Sequence, residues 1–158
     1  MIAEEPNRPE MPPLPSFQAV SRILDRADEE YRGKPSYYAW LCETYTHKRA
    51  VLAAGLERAG MKPLQGEGGF FLMADTSALS VPDEYLAQST AAAPSMMRDW
   101  ALCRWLAIEG GVVAIPASPF YSQKNKELGA NLVRFAFCKS DATLEAACDK
   151  LADLARLT

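Results

Sequence analysis

The run NLVRFAFCK, residues 131–139, sets one arginine in the middle of a strand-like stretch. By period-two alternation Val133, Phe135 and Phe137 share one face, and Leu132, Arg134, Ala136 and Cys138 share the other. Both faces are apolar except at Arg134. A guanidinium keeps its charge, and an unpaired charge in apolar surroundings is costly. Its planar fork of N–H donors suits a carboxylate, held through two parallel hydrogen bonds. The pattern alone leaves the recipient open. It favours an internal partner, with Asp75 and Glu67 as candidates, over a bound ligand.

Other chemistry-bearing residues form no recognisable constellation. The single histidine, His47, stands beside Lys48 and Arg49 on a predicted helix and reads as a solvated surface residue, so no metal site is expected. Cys42, Cys103, Cys138 and Cys148 include no C-x-x-C pair. Each lies in an apolar helical or strand context, which predicts buried free thiols rather than disulfides or zinc ligands. No G-x-G-x-x-G, P-loop or Ser-His-Asp arrangement is present. Gly110-Gly111 precedes a strand, where a phosphate loop would precede a helix, and Gly66, Gly68 and Gly69 make a turn before one. Ser122 and Lys124 read as a solvated loop.

The elements that must position Arg134 follow from periodicity and punctuation. With 158 residues, 49% hydrophobic and 23% charged, the chain has the balance of one soluble globular domain. A net charge of −3 gives no basic footprint for nucleic acid, and no apolar run is long enough for a bilayer. Residues 1–15 hold five prolines and predict an extended, disordered leader, with the domain over 16–158. The acidic, proline-rich N-terminus is unlike a signal peptide, and a cytoplasmic setting is the default expectation. Ser16 is the expected cap of a first helix carrying Phe17, Val20, Ile23, Leu24 and Ala27 to about Tyr31, with Gly33 as its stop. Pro35 is expected to open a long second helix to Ala59, with Trp40, Leu41, Tyr45, Leu52, Leu56 and Ala59 as its stripe and Gly60 as its stop. Glu43, Lys48, Arg49, Glu57 and Arg58 are expected to face water.

Two extended pieces come next, KPLQ and GGFFLMAD. The run Phe70–Met73 predicts a strand covered on both faces. Residues 76–94 read as a loop of low helical content. Ser95 is the expected cap of a helix from Met96 to Glu109, with Met96, Trp100, Cys103 and Ala107 on its stripe. VVAI predicts a strand, PASPFY a turn-rich loop, and KNKE one helical turn. After the strand at 131–138, Asp141 is expected to cap a last helix lined by Leu144, Cys148, Leu151 and Ala155. The order helix, helix, strand, strand, helix, strand, strand, helix predicts an α+β two-layer domain, a sheet of three or four strands with helices on one face.

Three stretches in order, QGEGGFFLMADTS (65–77), GGVVAIPASPFYS (110–122) and NLVRFAFCKSDATLEAA (131–147), resemble the C-terminal small domain of fold-type-I, pyridoxal-phosphate-dependent aminotransferases. The closest subgroup is kynurenine aminotransferase, also called glutamine transaminase or cysteine-conjugate β-lyase. The stretch YYAWLCETYTHKRAVLAAGLERAGMKPL (37–64) extends the resemblance, which covers roughly 17–155. It implies that Arg134 binds the α-carboxylate of an amino-acid or 2-oxo-acid substrate, and that Phe71 lines the substrate pocket. Phe120 and Tyr121 rank lower, near its entrance.

The resemblance also implies what this stretch does not supply. In the family the Schiff-base lysine, the acid at the pyridinium nitrogen and the phosphate-binding groups belong to a large upstream domain. Lys34, Lys48, Lys62, Lys124, Lys126, Lys139 and Lys150 match none of these. The expectation is a chain that contributes no catalytic, cofactor-binding or metal-binding residue, does not hold pyridoxal 5'-phosphate alone and does not transaminate alone. Its expected partner is a large domain or a full-length aminotransferase, and apolar residues such as Trp40 and its neighbours would face it. The alternatives are a carboxylate-binding module without a cofactor and a pseudoenzyme subunit that joins intact relatives.

Overall fold

A computed structural model describes residues 15–156, so the expected leader lies outside the described residues except at Pro15. The chain divides into two compact units, with the boundary between Glu43 and Thr44.

In the first unit, helix α1 spans Pro15–Arg26, so Ser16 lies inside it rather than capping it. Phe17, Val20, Ile23 and Leu24 all recur at helical spacing, as expected, and all are more than half exposed. The helix stops five residues short of Tyr31. Tyr31 and Lys34 then exchange backbone hydrogen bonds across Arg32 and Gly33, both at positive φ (51° and 74°). Gly33 therefore serves a tight reversal, where its missing Cβ removes the steric penalty, and does not end the helix. Helix α2 covers Tyr37–Arg58. Its cap is Ser36, whose Oγ accepts the Ala39 N–H at 3.1 Å, and Pro35 stands before the cap. The rings of Tyr31, Tyr37 and Trp40 meet edge-on or tilted at 5.2–5.7 Å, which leaves Trp40 half-buried.

The second unit contains the sheet. Helix α2 ends in a glycine motif: Gly60 is at φ 75°, its N–H bonds Glu57 O, and Met61 N–H bonds Leu56 O. Strands β1 (Lys62–Leu64) and β2 (Phe71–Asp75) follow. The 76–94 segment holds one short helix, α3 (Asp83–Leu86). Then come α4 (Arg98–Ile108), β3 (Ile115–Pro116), two 3-10 turns (Ser118–Phe120 and Gln123–Gly129), β4 (Leu132–Ala136) and α5 (Asp141–Ala155). The four strands form one antiparallel sheet in the order β1-β2-β4-β3. The α+β architecture with a small sheet is thus as the sequence predicts.

Several boundaries move for identifiable reasons. Helix α4 begins after Met97, and Ser95 makes no cap bond. Its buried residues are Asp99, Ala101, Leu102, Cys103, Trp105 and Leu106, a wider and rotated face compared with the expected stripe. Of VVAI only Ile115 lies in a strand. Val112 N–H closes onto Leu106 O at the helix end, and pairing starts only at Ile115. Pro116 lies on the sheet edge, where a missing donor is tolerated. Ser140, not Asp141, caps α5, its Oγ accepting Thr143 N–H at 3.2 Å.

Alternation sorts the sheet faces as expected. Leu72, Ala74, Val133, Phe135 and Phe137 are buried, in one core with Leu52, Leu56, Leu102, Leu106, Leu144, Cys148 and Leu151. The other face carries Phe71, Met73, Arg134, Ala136 and Ile115, and Phe71 and Ile115 are exposed. So β2 is covered on one face within these residues, contrary to the reading of its apolar run. The thiols also split: Cys103 and Cys148 are buried, whereas Cys42 and Cys138 are exposed.

Gly55 is where α2 meets α5. A Cβ there would lie 2.0 Å from Cys148 Sγ and 2.5 Å from its Cβ. Gly55→Ala should therefore lower unfolding free energy by about 1–3 kcal/mol, through forced separation of the two helices, as read by urea denaturation. Burial, with a smaller contribution from Asp99, pushes the Cys103 thiol up to about 12. The folded state holds that proton more tightly than the unfolded chain, so stability falls as pH rises from about 8.5 toward the folded value. The urea midpoint should drop between about pH 8 and about pH 10, and less steeply in Cys103→Ala. An unchanged slope in the variant would count against this assignment.

Candidate carboxylate-binding site

Arg134 is the central residue of β4, directly opposite Met73 of β2 and Ile115 of β3. Its neighbours Val133 and Phe135 point into the core, which fixes the register and turns Arg134 to the uncovered face. Phe71, two residues before Met73 on β2, reaches it from one side of β4. Phe120, just beyond β3, reaches it from the other. The guanidinium carbon lies 4.2 Å from the Phe71 ring centre and 4.6 Å from that of Phe120. Each such contact is worth about 0.5–1 kcal/mol at an accessible site.

No described carboxylate pairs with Arg134. Among the described ion pairs, none includes it. Asp75 is engaged elsewhere: its Oδ1 accepts Ser77 N–H at 2.8 Å, and hydrogen bonding from Ser77 holds its carboxyl below the usual carboxylate range. Glu67 is exposed. The internal pair that the pattern favoured therefore does not form. Arg134 Nε is the one buried side-chain polar atom among the described residues with no hydrogen-bond partner. Leaving such a donor unpaired costs about 1–3 kcal/mol. The arrangement is a half-buried guanidinium flanked by two rings, with its Nε shielded from water and unpaired.

The segments bearing the two rings are themselves tied down. Arg49 of α2 is not free in solvent: its Nη1 donates to Gly66 O at 2.7 Å and holds the turn before Phe70 and Phe71. Gly69 in that turn is at φ 78°. Lys48 likewise donates to Lys139 O, at the turn after β4. At the loop after β2, Arg98 donates to Thr76 Oγ1, Thr76 O and Leu79 O, and burial lowers its own proton affinity. Thr76 N–H and Oγ1 both donate to Asn131 O, which anchors the start of β4.

Sequence reasoning missed Asp99. It is fully buried at the first turn of α4, where a helix N-terminus favours a negative charge. Its Oδ1 accepts Trp100 N–H at 3.0 Å and its Oδ2 accepts Ser118 N–H at 2.7 Å. An acid in a first turn is visible in a sequence. A partner nineteen residues away in an irregular loop is not.

The residues implied by the family resemblance are thus partly brought together. Arg134, Phe71 and Phe120 meet, while Tyr121 is exposed and His47 is exposed as expected. The lysines do not gather around the site. Lys62 shares the open sheet face but stands on β1, opposite Asp75. Lys34 pairs with Glu43 and Lys48 binds Lys139 O.

Comparison with known proteins shows what the chain is similar to. The aminotransferase class I and II family profile matches residues 11–151. A kynurenine–oxoglutarate transaminase of Dictyostelium discoideum is 34% identical over 143 residues, which is 90% of this chain and 32% of that protein. The crystal structure of Bna3p from Saccharomyces cerevisiae superposes with a TM-score of 0.71 at 28% identity, over 89% of this chain and 31% of that one. N-succinyldiaminopimelate aminotransferase from Mycobacterium tuberculosis superposes at 0.66 with 31% identity, over 87% and 29%. The chain spans less than a third of the length of each of these. No described helix is long and apolar enough to cross a membrane.

The cost of the unpaired Nε, about 1–3 kcal/mol, roughly offsets the two guanidinium–ring contacts. Arg134→Met, which keeps the stem between the rings and removes the charge, should leave the urea midpoint unchanged or raise stability by up to about 1 kcal/mol. A loss above about 2 kcal/mol would show that the guanidinium has a structural partner after all.

Proposed function

Since the chain belongs to the aminotransferase class I and II family, we propose that it supplies the carboxylate-binding part of an aminotransferase site, with Arg134 gripping the α-carboxylate of an amino acid or 2-oxo acid. The unpaired Nε of Arg134 is the observation that carries this reading. A carboxylate entering beside Phe71 and Phe120 meets a guanidinium whose plane the two rings already orient and whose Nε is already out of water. The entropy of holding a long side chain has been met in the folded state, so little is lost on binding. Phe71 and Phe120 form the apolar wall against which the substrate stem lies.

Pyridoxal phosphate, when bound in an intact enzyme of this family, supplies the electron sink for amino-group transfer. On this reading the 158 residues alone neither hold it stably nor transaminate. They act together with a large domain or full-length aminotransferase that carries the lysine. Kynurenine, glutamine or an aromatic amino acid is the substrate type to which the resemblance points. A second reading, a carboxylate-binding module that works without cofactor, is favoured by one fact: Arg134, Phe71 and Phe120 are assembled within these residues alone.

The test is titration of the purified chain with pyruvate, followed by line broadening of the pyruvate methyl resonance so that every variant gives the same readout, with pyruvamide as the uncharged control. Binding on the order of 1 mM is expected for a single bidentate ion pair, with none for pyruvamide. Arg134→Lys should weaken it about tenfold, because an ammonium cannot form two parallel bonds. Unchanged pyruvate binding in Arg134→Met would overturn the assignment. Near-stoichiometric Schiff-base absorbance after adding pyridoxal phosphate would overturn the proposed dependence on a second domain.

A further inference from the structure

We propose that Asp99 is a positioning residue for the carboxylate grip, seating Phe120 against Arg134 through the Ser118 N–H; this rests on the carboxylate-binding reading of Arg134.

Phe120 has little to hold it. Its side chain is 63% exposed, and its ring meets the guanidinium at 4.6 Å. Its position is therefore set by the backbone that carries it, the 3-10 turn Ser118–Phe120. Within that turn Phe120 N–H bonds Ala117 O at 3.0 Å and Tyr121 N–H bonds Ser118 O at 3.1 Å. Such a turn is rigid internally but needs an anchor to the rest of the protein.

Ser118 provides it, being 1% exposed. Its N–H donates to Asp99 Oδ2 at 2.7 Å. Gly129 also packs closely on it, where an added Cβ would lie 2.7 Å from Ser118 N and 2.8 Å from its Cα. The turn is held by a buried carboxylate and by a residue that has room only for hydrogen. A first-turn acid needs only local N–H partners, and the Trp100 contact already supplies one. The second oxygen is used for the turn that carries Phe120. The charge makes this bond short and directional.

The experiment combines a structural and a binding readout on the full chain. Ring-current shifts of the Arg134 Hδ protons report the Phe120 ring, and pyruvate titration reports the grip. Asp99→Ala should abolish the Phe120 contribution to those shifts. It should also weaken pyruvate binding by the same factor as Phe120→Leu, about two- to fivefold. The double variant should bind no more weakly than Phe120→Leu alone, because both changes remove one contact. Asp99→Asn, which keeps one acceptor oxygen for Ser118, should restore part of the shift. If Asp99→Ala does not fold, Gly129→Ala displaces Ser118 without altering Asp99 and should give the same loss.

A folded Asp99→Ala with unchanged Arg134 shifts, or additive losses in the double variant, would overturn the proposal. Should the wild-type chain bind no pyruvate while Asp99→Ala still loses the shifts, the carboxylate reading fails and the seating role of Asp99 stands.

Discussion

An ionised guanidinium held on a sheet face without a counter-ion is the constraint around which the rest is arranged. Arg134 is brought there by alternation: Val133 and Phe135 must enter the core, so the residue between them must leave it. The cost of its unpaired Nε is borne by the helix-covered face of the same sheet, where Leu72, Ala74, Val133 and Phe135 pack with α2, α4 and α5 residues. The two faces are thus complementary in role. One contributes the folding free energy, and the other holds a group whose best partner is absent from the fold.

Around that residue the support is built from long-range hydrogen bonds to irregular backbone. Arg49 holds the turn before Phe71, Arg98 and Thr76 join the end of β2 to the start of β4, and Asp99 holds the turn before Phe120. Each supporting side chain comes from a helix, whose position the core fixes, and each reaches a loop that could not fix itself. The aromatic rings then touch Arg134 from two separately anchored segments. This division of labour explains why exposed rings such as Phe120 can have a defined place.

Much of this was legible in the sequence, and what was not has a physical cause. The faces of β4, the glycine stop of α2 at Gly60 and the stripe of α5 through Leu144, Cys148 and Leu151 all follow from periodicity, and the structure agrees. Caps were misplaced by one or more positions at Ser36 and Ser140, because Ser and Pro, or Ser and Asp, stand adjacent and only geometry decides which side chain turns back. VVAI reads as a strand by composition, yet Val112 closes the end of α4 instead. The apolar run Phe70–Met73 reads as doubly covered because composition reports apolarity and not what lies opposite. The roles of Asp99 and Gly129 depend on contacts between segments far apart in the chain. Even the first-choice partner of Arg134, an internal acid, was a pattern-level inference that the observed engagement of Asp75 with Ser77 removes.

The central claim is that Arg134 is a preformed receptor for a carboxylate. The most direct measurement is a crystal structure of the chain grown with pyruvate. The account predicts the carboxylate lying against the guanidinium with two near-parallel N–H···O contacts, one of them from an Nε uncovered by a small shift of the side chain, and with Phe71 and Phe120 still beside it. A structure in which Asp75 or Glu67 swings in to pair with Arg134, or in which pyruvate binds elsewhere and leaves Nε unpaired, would contradict it.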